Sequence, residues 1–298
     1  MFYRRKILLA LLSMFDGKLT AKQFQKLLFL FTRQQTTKSF DFVPYRYGCF
    51  SFQANQDMLT LTKYGYCDIT ETENGRFYEL KKDHGFFEML NPEDKRYLLE
   101  IKKQFGSFSQ TNLIRYTYQK YPYYATKSTI AKDLLNAQEL NEVDKQKRHF
   151  PEKQLFTIGY EGVSLETYIN KLIINDVQVL CDVRKNAYSQ KYGFSKKTLS
   201  LACKGANIEY LHIPDLGIVP DKRQELHTQK DYDTLFEEYN KTTLVENNTS
   251  VLIIRQLLVD GRRVALTCFE KDPKQCHRSC VADALMQLPN VDYKLKLL

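Results

Sequence analysis

The segment LTCFEKDPKQCHRSC, residues 266–280, places several chemically active side chains within one short stretch. Its thiols, imidazole, carboxylate and guanidinium come from Cys268, Glu270, Cys276, His277, Arg278 and Cys280. Such groups can transfer protons, act as nucleophiles, bind an anion or ligate a metal ion. Which of these roles is open to them depends on the elements that position them.

The residues after the carboxylate of this segment predict the start of a helix. Asp272 is a good N-cap, and Pro273 suits the first helical position. Cys276, His277 and Arg278 would then occupy the first turn and a half. Free N–H groups and the dipole at a helix start favour an anion, so we interpret His277 and Arg278 as anion-binding residues. The same field would lower the pKa of Cys276, which makes it a candidate catalytic thiolate.

Four apolar stretches of the C-terminal half predict strands, and the segments between them have helical patterns. They are LFTIGYEG (155–162), VQVLCDVR (177–184), IEYLHIP (208–214) and RRVALTCF (262–269). This alternation predicts an α/β domain with a mainly parallel sheet, a Rossmann-like three-layer fold. In such sheets the functional residues lie at the carboxyl ends of the strands, so we expect the polar residues there to share one crevice.

These strand ends supply candidate catalytic and binding groups. Glu161, Asp182 and Glu270 are candidate general acids or bases. The candidate anion-binding residues at the strand ends are Tyr160, Arg184 and His212. No metal ligand is assigned, because structural zinc usually uses two pairs of closely spaced cysteines, and the Cys276–Cys280 spacing has no matching pair. The cofactor stays unknown.

The N-terminal half has a different pattern. Residues 1 to about 80 predict helices followed by a hairpin around Asn74-Gly75, with Thr20 as the cap of the second helix and a third helix capped near Asn55. This is the outline of a winged helix, an α+β module that binds DNA or a protein partner. Charged helices extend it, and we place the boundary at Pro151. The domains are therefore 1–150 and 151–298.

Composition limits the partners and the compartment. The formal net charge of +9 favours a polyanionic partner, and DNA is the first candidate. No stretch approaches the roughly 18 apolar residues of a membrane span, so no membrane role is expected. The seven cysteines are an odd number and are scattered along the chain, which does not fit a disulfide framework. We therefore expect a reducing cytoplasm. Nothing in the sequence indicates an oligomeric state.

Several aromatic motifs of the N-terminal half mark a family resemblance. KLTAKQFQKLLFLF, PYRYGCFS, LTLTKYGY and LIRYTYQKYPYYATKS resemble the phage-associated SocA-like antitoxin family, whose core is called the Panacea domain. The resemblance covers roughly residues 1 to 130. It implies a protein partner for this domain and a role in phage defence.

The C-terminal half resembles the domain-of-unknown-function family 488. The motifs are TIGYEG, LCDVRKNAYSQKYGFSKKTL, IEYLHIPDLGI and LTCFEKDPKQCHRSCVADAL, in the family's order and spacing. The resemblance implies a set of characteristic polar positions: Tyr160, Asp182, Arg184, Ser189, His212, Arg223, Cys268, Glu270, Cys276, His277 and Arg278. It adds Ser189 and Arg223 to the candidate anion-binding residues. Cys280 falls outside this pattern, and the family's reaction is not established.

Three hypotheses for function follow. The first is a nucleic-acid-associated enzyme or processing factor with an anion-binding crevice, for which base excision and base modification are the reactions to test first. The second is a non-enzymatic DNA- or toxin-binding regulator that senses a small anion. The third is an enzyme that depends on the thiol of Cys268 or Cys276, or on a metal ion for which Cys268, Cys276, His277 and Cys280 could supply ligands. Turnover, alkylation and metal content would discriminate them.

Overall fold

The computed structural model of the protein describes residues 1–73, 75–223 and 226–298, and for Arg223 it describes the backbone alone. The chain divides into two compact units, Met1–Lys147 (unit 1) and Arg148–Leu298 (unit 2). In the described ranges, no helix has both the length and the apolar character that crossing a bilayer requires.

Unit 1 combines helices with short antiparallel strands. Its elements are α1 (Tyr3–Met14), β1 (Lys18–Thr20), α2 (Ala21–Gln34), β2 (Val43–Tyr45), β3 (Gly48–Phe50), α3 (Phe52–Lys63), β4 (Cys67–Thr72), β5 (Gly75–Leu80), α4 (Pro92–Phe105), α5 (Gln110–Lys120), α6 (Ala131–Leu134) and α7 (Ala137–Gln146). Strands β1, β5 and β4 form one sheet in that order, and β2 pairs with β3. The predicted hairpin is confirmed by the pairing of Thr72 with Gly75, while Asn74 lies outside the described residues.

The helix caps in unit 1 follow the sequence with one exception. The side chain of Thr20 caps α2 and forms a capping box with Gln23, as predicted. Helix α3, however, is capped by Ser51, whose hydroxyl accepts from the N–H of Ala54. The prediction of a cap near Asn55 is therefore wrong. The amide oxygen of Asn55 instead accepts a hydrogen bond from the Tyr78 hydroxyl.

Unit 2 alternates strands and helices as the sequence predicts. Its elements are β6 (Gln154–Gly159), α8 (Leu165–Ile174), β7 (Val179–Asp182), α9 (Lys196–Gly205), β8 (Glu209–His212), α10 (Gln229–Lys241), α11 (Thr243–Glu246), α12 (Asn248–Val259), β9 (Arg263–Cys268), α13 (Arg278–Met286) and β10 (Lys294–Leu297). Within its described residues, five parallel strands form one sheet in the order β10-β6-β9-β7-β8.

This strand order brings the predicted strand ends together. Cys268 on β9 pairs with Gly159 on β6, and Asp182 on β7 pairs with both Thr267 on β9 and His212 on β8. Every residue of β9 is buried, which explains why its sequence is apolar almost throughout. The carboxyl edge of this sheet therefore carries polar side chains from adjacent strands on a rigid, buried support.

Candidate functional site

A buried ion pair anchors the carboxyl end of β7. The Nε of Arg184 donates to Oδ1 of Asp182 at 2.8 Å, and its Nη2 donates to Oδ2. The Nη1 of Arg184 donates to the Tyr160 hydroxyl at 2.7 Å and to the Phe194 carbonyl at 2.9 Å. The Tyr210 hydroxyl donates to Oδ2 of Asp182 at 2.6 Å. The predicted catalytic carboxylate and the predicted anion-binding arginine are thus bonded to each other.

Electrostatics reinforce this pairing. Burial alone would lower the pKa of Arg184, but the hydrogen bonds and charge of Asp182 outweigh it and raise that pKa. Burial, followed by the Asp182 charge, raises the pKa of Tyr210. Most guanidinium N–H groups of Arg184 donate to protein acceptors, so the geometry supports a positioning role for this residue. Its predicted contact with an anion stays a prediction.

His212 and Ser189 hold the loop that follows β7. The Nε2 of His212 lies 2.9 Å from the Arg184 carbonyl, and its Nδ1 lies 3.2 Å from Nζ of Lys196. Because a carbonyl only accepts, Nε2 carries the hydrogen and Nδ1 accepts from the lysine. The Ser189 hydroxyl accepts from the N–H of Lys191 at 3.2 Å. Both predicted binding residues therefore contact the loop between β7 and α9. The side chain of Arg223 lies outside the described part of the chain.

Two thiols and an imidazole meet beside this ion pair. The Sγ atoms of Cys268 and Cys276 and a ring nitrogen of His277 all lie within 4.8 Å of one another, and all three residues are buried. The Nε2 of His277 lies 2.9 Å from the Val183 carbonyl, so it must carry the hydrogen. In the neutral ring Nδ1 is then the acceptor, and it lies 3.8 Å from Sγ of Cys268. A backbone carbonyl that fixes the histidine tautomer in this way is typical of metal-binding histidines.

The donor set of this cluster fits a soft or borderline transition metal. Thiolate and imidazole ligands suit Zn²⁺, and three protein ligands are the usual number in catalytic zinc sites. Oε2 of Glu270 accepts from Sγ of Cys268 at 3.3 Å, so a carboxylate stands at the edge of the cluster. From the sequence no metal ligand was assigned, although Cys268, Cys276 and His277 were possible ligands in the third hypothesis. They were not assigned because their spacing lacks the second cysteine pair of structural zinc sites.

The local backbone around Cys276 differs from the prediction. Asp272 caps a short 3-10 turn, Pro273–Gln275, and Cys276 is extended with φ −138° and ψ 126°. The α-helix begins only at Arg278. Cys276 is fully buried, and burial, followed by the neighbouring Cys268 thiol, raises its pKa well above the ordinary value. The prediction that a helix start lowers this pKa is therefore wrong.

A cavity of about 270 Å³ lies beside β6 and the loop after β9. Its lining includes Thr157, Glu161, Lys171, Lys271 and Arg278. Oε2 of Glu161 accepts from the N–H of Lys271 at 2.9 Å, which ties the two loops together. Arg278 is 2% exposed and donates from Nη1 to the Glu270 carbonyl at 2.6 Å.

Two buried polar groups that line this cavity lack a protein partner. Among the described residues, neither Nε of Arg278 nor the hydroxyl of Thr157 has a hydrogen-bond partner. Buried polar atoms without partners are costly, so they point to a bound ligand or water. Arg278 therefore has a donor available for the predicted anion, whereas most donors of Arg184 already bind protein acceptors. Thr157 is a site residue that the sequence analysis missed, because it lies inside a strand.

The loop between β7 and α9 presents an aromatic and basic surface. Tyr188 in this loop is 77% exposed, and Lys185, Lys191 and Lys196 accompany it. Nζ of Lys191 donates to the Tyr160 carbonyl at 2.7 Å, which fixes the loop to the end of β6. Exposed aromatic rings among cations are a common surface for stacking nucleic-acid bases.

The fold and the site together define a parallel α/β domain with a polar carboxyl edge and a buried Cys-Cys-His cluster. The family model "Domain of unknown function DUF488" matches residues 164–285, from the cap of α8 to α13. The resemblance of the C-terminal half is thereby confirmed, and the family's description gives no activity. No curated protein and no solved structure matches the chain. The antitoxin resemblance of the N-terminal half stays a prediction.

Proposed function

We propose that unit 2 is a metal-dependent enzyme that modifies bases in nucleic acid, with Cys268, Cys276 and His277 as the metal ligands. The observation that carries this proposal is the buried cluster at the carboxyl edge, in which Val183 fixes the tautomer of His277. These two thiolates and one imidazole would hold a zinc ion with one position left for water, and the ion would make that water a nucleophile.

Glu270 is the proton-transferring group in this proposal. Its carboxylate lies 3.3 Å from Sγ of Cys268 and its side chain is half-buried. Zinc-dependent base deaminases use the same donor set, His/Cys/Cys, with a glutamate that is not a ligand. Hydrolytic deamination is therefore the first reaction to test: water adds to the amino-bearing carbon, Glu270 moves its proton to the amino group, and ammonia leaves.

The surroundings of the cluster supply contacts for a nucleic acid. Tyr188 and the lysines of its loop suit a base and the backbone, and the net charge of +9 favours a polyanion. The cavity at Arg278 suits a phosphate, because its buried Nε still requires an acceptor. The Asp182–Arg184 pair positions the Val183 carbonyl that orients His277.

For unit 1 we propose a winged-helix module that docks DNA or a protein partner. Its first elements run helix, strand, helix, helix, strand, strand once the short hairpin β2–β3 is set aside, with β1, β5 and β4 in one antiparallel sheet. That order supports the winged-helix assignment, and the antitoxin resemblance supports a link to phage defence. A Rossmann-like layering of unit 2 and a cytoplasmic location belong to the same proposal.

The test is base analysis after incubation with the full-length, zinc-loaded protein. Single-stranded DNA and RNA of mixed sequence are digested to nucleosides and examined by mass spectrometry. We expect a deaminated or otherwise altered base with the wild type, and none with Glu270→Gln, which should keep its metal. Glu237→Gln, an exposed residue of α10, is the matched control and should remain active.

Two results would favour the other hypotheses. A wild type that binds metal and nucleic acid but alters no base would favour a regulator in which the metal is structural. Inactivation by alkylating reagents in metal-free protein would favour thiol chemistry, which the burial of Cys268 and Cys276 opposes.

A further inference from the structure

Unit 1 contains a cavity of about 540 Å³ that the proposed function does not use. It lies between the start of α2, the β2–β3 hairpin and β5. Four cations line it: Lys22, Lys26, Arg46 and Arg76. Among the described lining residues, none is acidic. A cavity of this volume falls within the range that small-molecule ligands occupy.

The most informative lining residue is Lys26. It lies in α2, is 2% exposed, and donates from Nζ to the Cys49 carbonyl at 2.9 Å. Within the described residues it forms no ion pair, and the charge of nearby Lys22 repels it. Burial is the main cause that lowers the pKa of Lys26. Lysine is almost never fully buried unless it is paired, and an anion bound in the cavity would supply a partner for its charged form.

Two of the other cations, Arg76 and Lys22, already interact with neighbouring side chains. The guanidinium of Arg76 donates to Glu71 on the neighbouring strand at 2.5 Å, so its charge is partly compensated. Nζ of Lys22 lies 4.2 Å from the ring centroid of Tyr47. Lys26 and Lys22 are one helical turn apart, so both can address the same anion.

Aromatic side chains form the other part of the lining. Tyr47 is 42% exposed although it lines the cavity, and Tyr45 stacks on Phe50 with ring centroids 5.0 Å apart. Tyrosine rings offer a flat apolar surface to a planar group, while the cations attract negative charge. Cations grouped around aromatic rings match a ligand that carries both a ring and a phosphate.

We infer that this cavity binds a nucleoside phosphate, with the phosphate at Lys26 and Lys22 and the base against Tyr47. The site is separate from the carboxyl edge of unit 2 and does not depend on the function proposed there. Lys26 is a binding residue whose unpaired charge lowers the stability of the free protein. The ligand offsets that cost, so its binding should stabilise unit 1.

Calorimetric titration of the full-length protein tests the inference. The probes are the four ribonucleoside monophosphates, a nucleoside without phosphate, and inorganic phosphate. We expect at least one nucleotide to bind, with the nucleoside and inorganic phosphate each at least tenfold weaker. Inorganic phosphate that binds as tightly as every nucleotide would overturn the assignment of a nucleoside. No binding by any nucleotide would overturn the site.

Variants locate the binding. Lys26→Met should lose at least tenfold in nucleotide affinity and yet unfold at the same or a higher temperature, because it removes an uncompensated buried charge. Lys120→Met, at the exposed end of α5, is the control and should bind normally. Tyr47→Ala should weaken nucleotide binding without weakening inorganic phosphate, and it provides an independent test at an exposed position. Unchanged nucleotide affinity in Lys26→Met and Tyr47→Ala would contradict the inference.

Discussion

At the scale of single residues, the Asp182–Arg184 pair sets the geometry of the carboxyl edge. Both side chains are buried, and the pair uses both carboxylate oxygens. Arg184→Met should destabilise the protein by roughly 3–5 kcal/mol, because it leaves the Asp182 charge buried and uncompensated. Urea denaturation measures this loss.

A double variant separates charge from packing. Adding Asp182→Asn to Arg184→Met should recover part of the lost free energy of unfolding, because no buried charge then remains. Lys204→Met, at an exposed position of α9, should change stability by less than about 0.5 kcal/mol. A double variant that is less stable than Arg184→Met would contradict the account.

The buried thiol of Cys49 predicts a loss of stability in alkali. Burial raises its pKa from the ordinary 9.0 to about 11, so it stays neutral in the folded protein while the unfolded chain ionises. Its stabilising contribution is complete below about pH 8.5 and is lost as the pH rises toward 11, by about 2–3 kcal/mol. Between pH 7.5 and 10.5 the free energy of unfolding, measured by urea denaturation, should fall less in Cys49→Ala than in the wild type. Equal falls in the two proteins would show that this thiol does not contribute.

The residue types of the site could be predicted, but their environment could not. Asp182, Arg184 and Glu270 were recognised at the ends of apolar strands, and Cys276 was recognised at a predicted helix start. That Asp182 and Arg184 bind each other depends on rotamers, which no spacing determines. The pKa of Cys276 was predicted in the wrong direction because its burial outweighs any helix field.

At the scale of elements, the close approach of β6 to the loop after β9 requires glycine. A Cβ at Gly159 would lie 2.0 Å from the Glu270 carbonyl oxygen. Gly159→Ala should therefore destabilise the protein by about 3 kcal/mol, the upper part of the range for overpacking. Because the displaced loop joins the proposed ligands Cys268 and Cys276, metal affinity should also fall.

A second glycine provides the comparison. A Cβ at Gly65 would meet nothing within 4 Å, although its φ of +77° disfavours other residues. Gly65→Ala should cost only about 1 kcal/mol and leave metal binding unchanged. Equal decreases in the midpoint temperature of thermal unfolding in the two variants would show that the backbone at Gly159 can move to accept a Cβ.

The sequence predicted most elements of unit 2, and the failures have physical causes. Strands β6, β7 and β9 are largely buried and apolar, so their pattern is strong. Strand β10 was missed because KLKL is a short, mostly exposed edge strand. Its place beside β6, and the place of β9 between β6 and β7, depend on contacts between distant segments.

At the scale of the whole molecule, charge and exposed aromatic groups predict salt-dependent binding of nucleic acid. The logarithm of the affinity for single-stranded DNA should fall linearly with the logarithm of the salt concentration. Tyr188→Ala should weaken binding equally at every salt concentration, whereas Lys185→Met should reduce the slope by about 1. Lys204→Met serves as the control with an unchanged slope. The absence of binding at low salt would contradict the nucleic-acid assignment.

The proposed function depends on a metal ion held by Cys268, Cys276 and His277. The most direct measurement is the metal content of full-length protein, loaded with Zn²⁺ and desalted, by elemental mass spectrometry. We expect about one zinc per chain in the wild type and in Cys280→Ser, whose thiol lies outside the cluster, and a loss of zinc in Cys276→Ser. A wild type without zinc, or a Cys276→Ser variant that retains it fully, would rule out these residues as metal ligands.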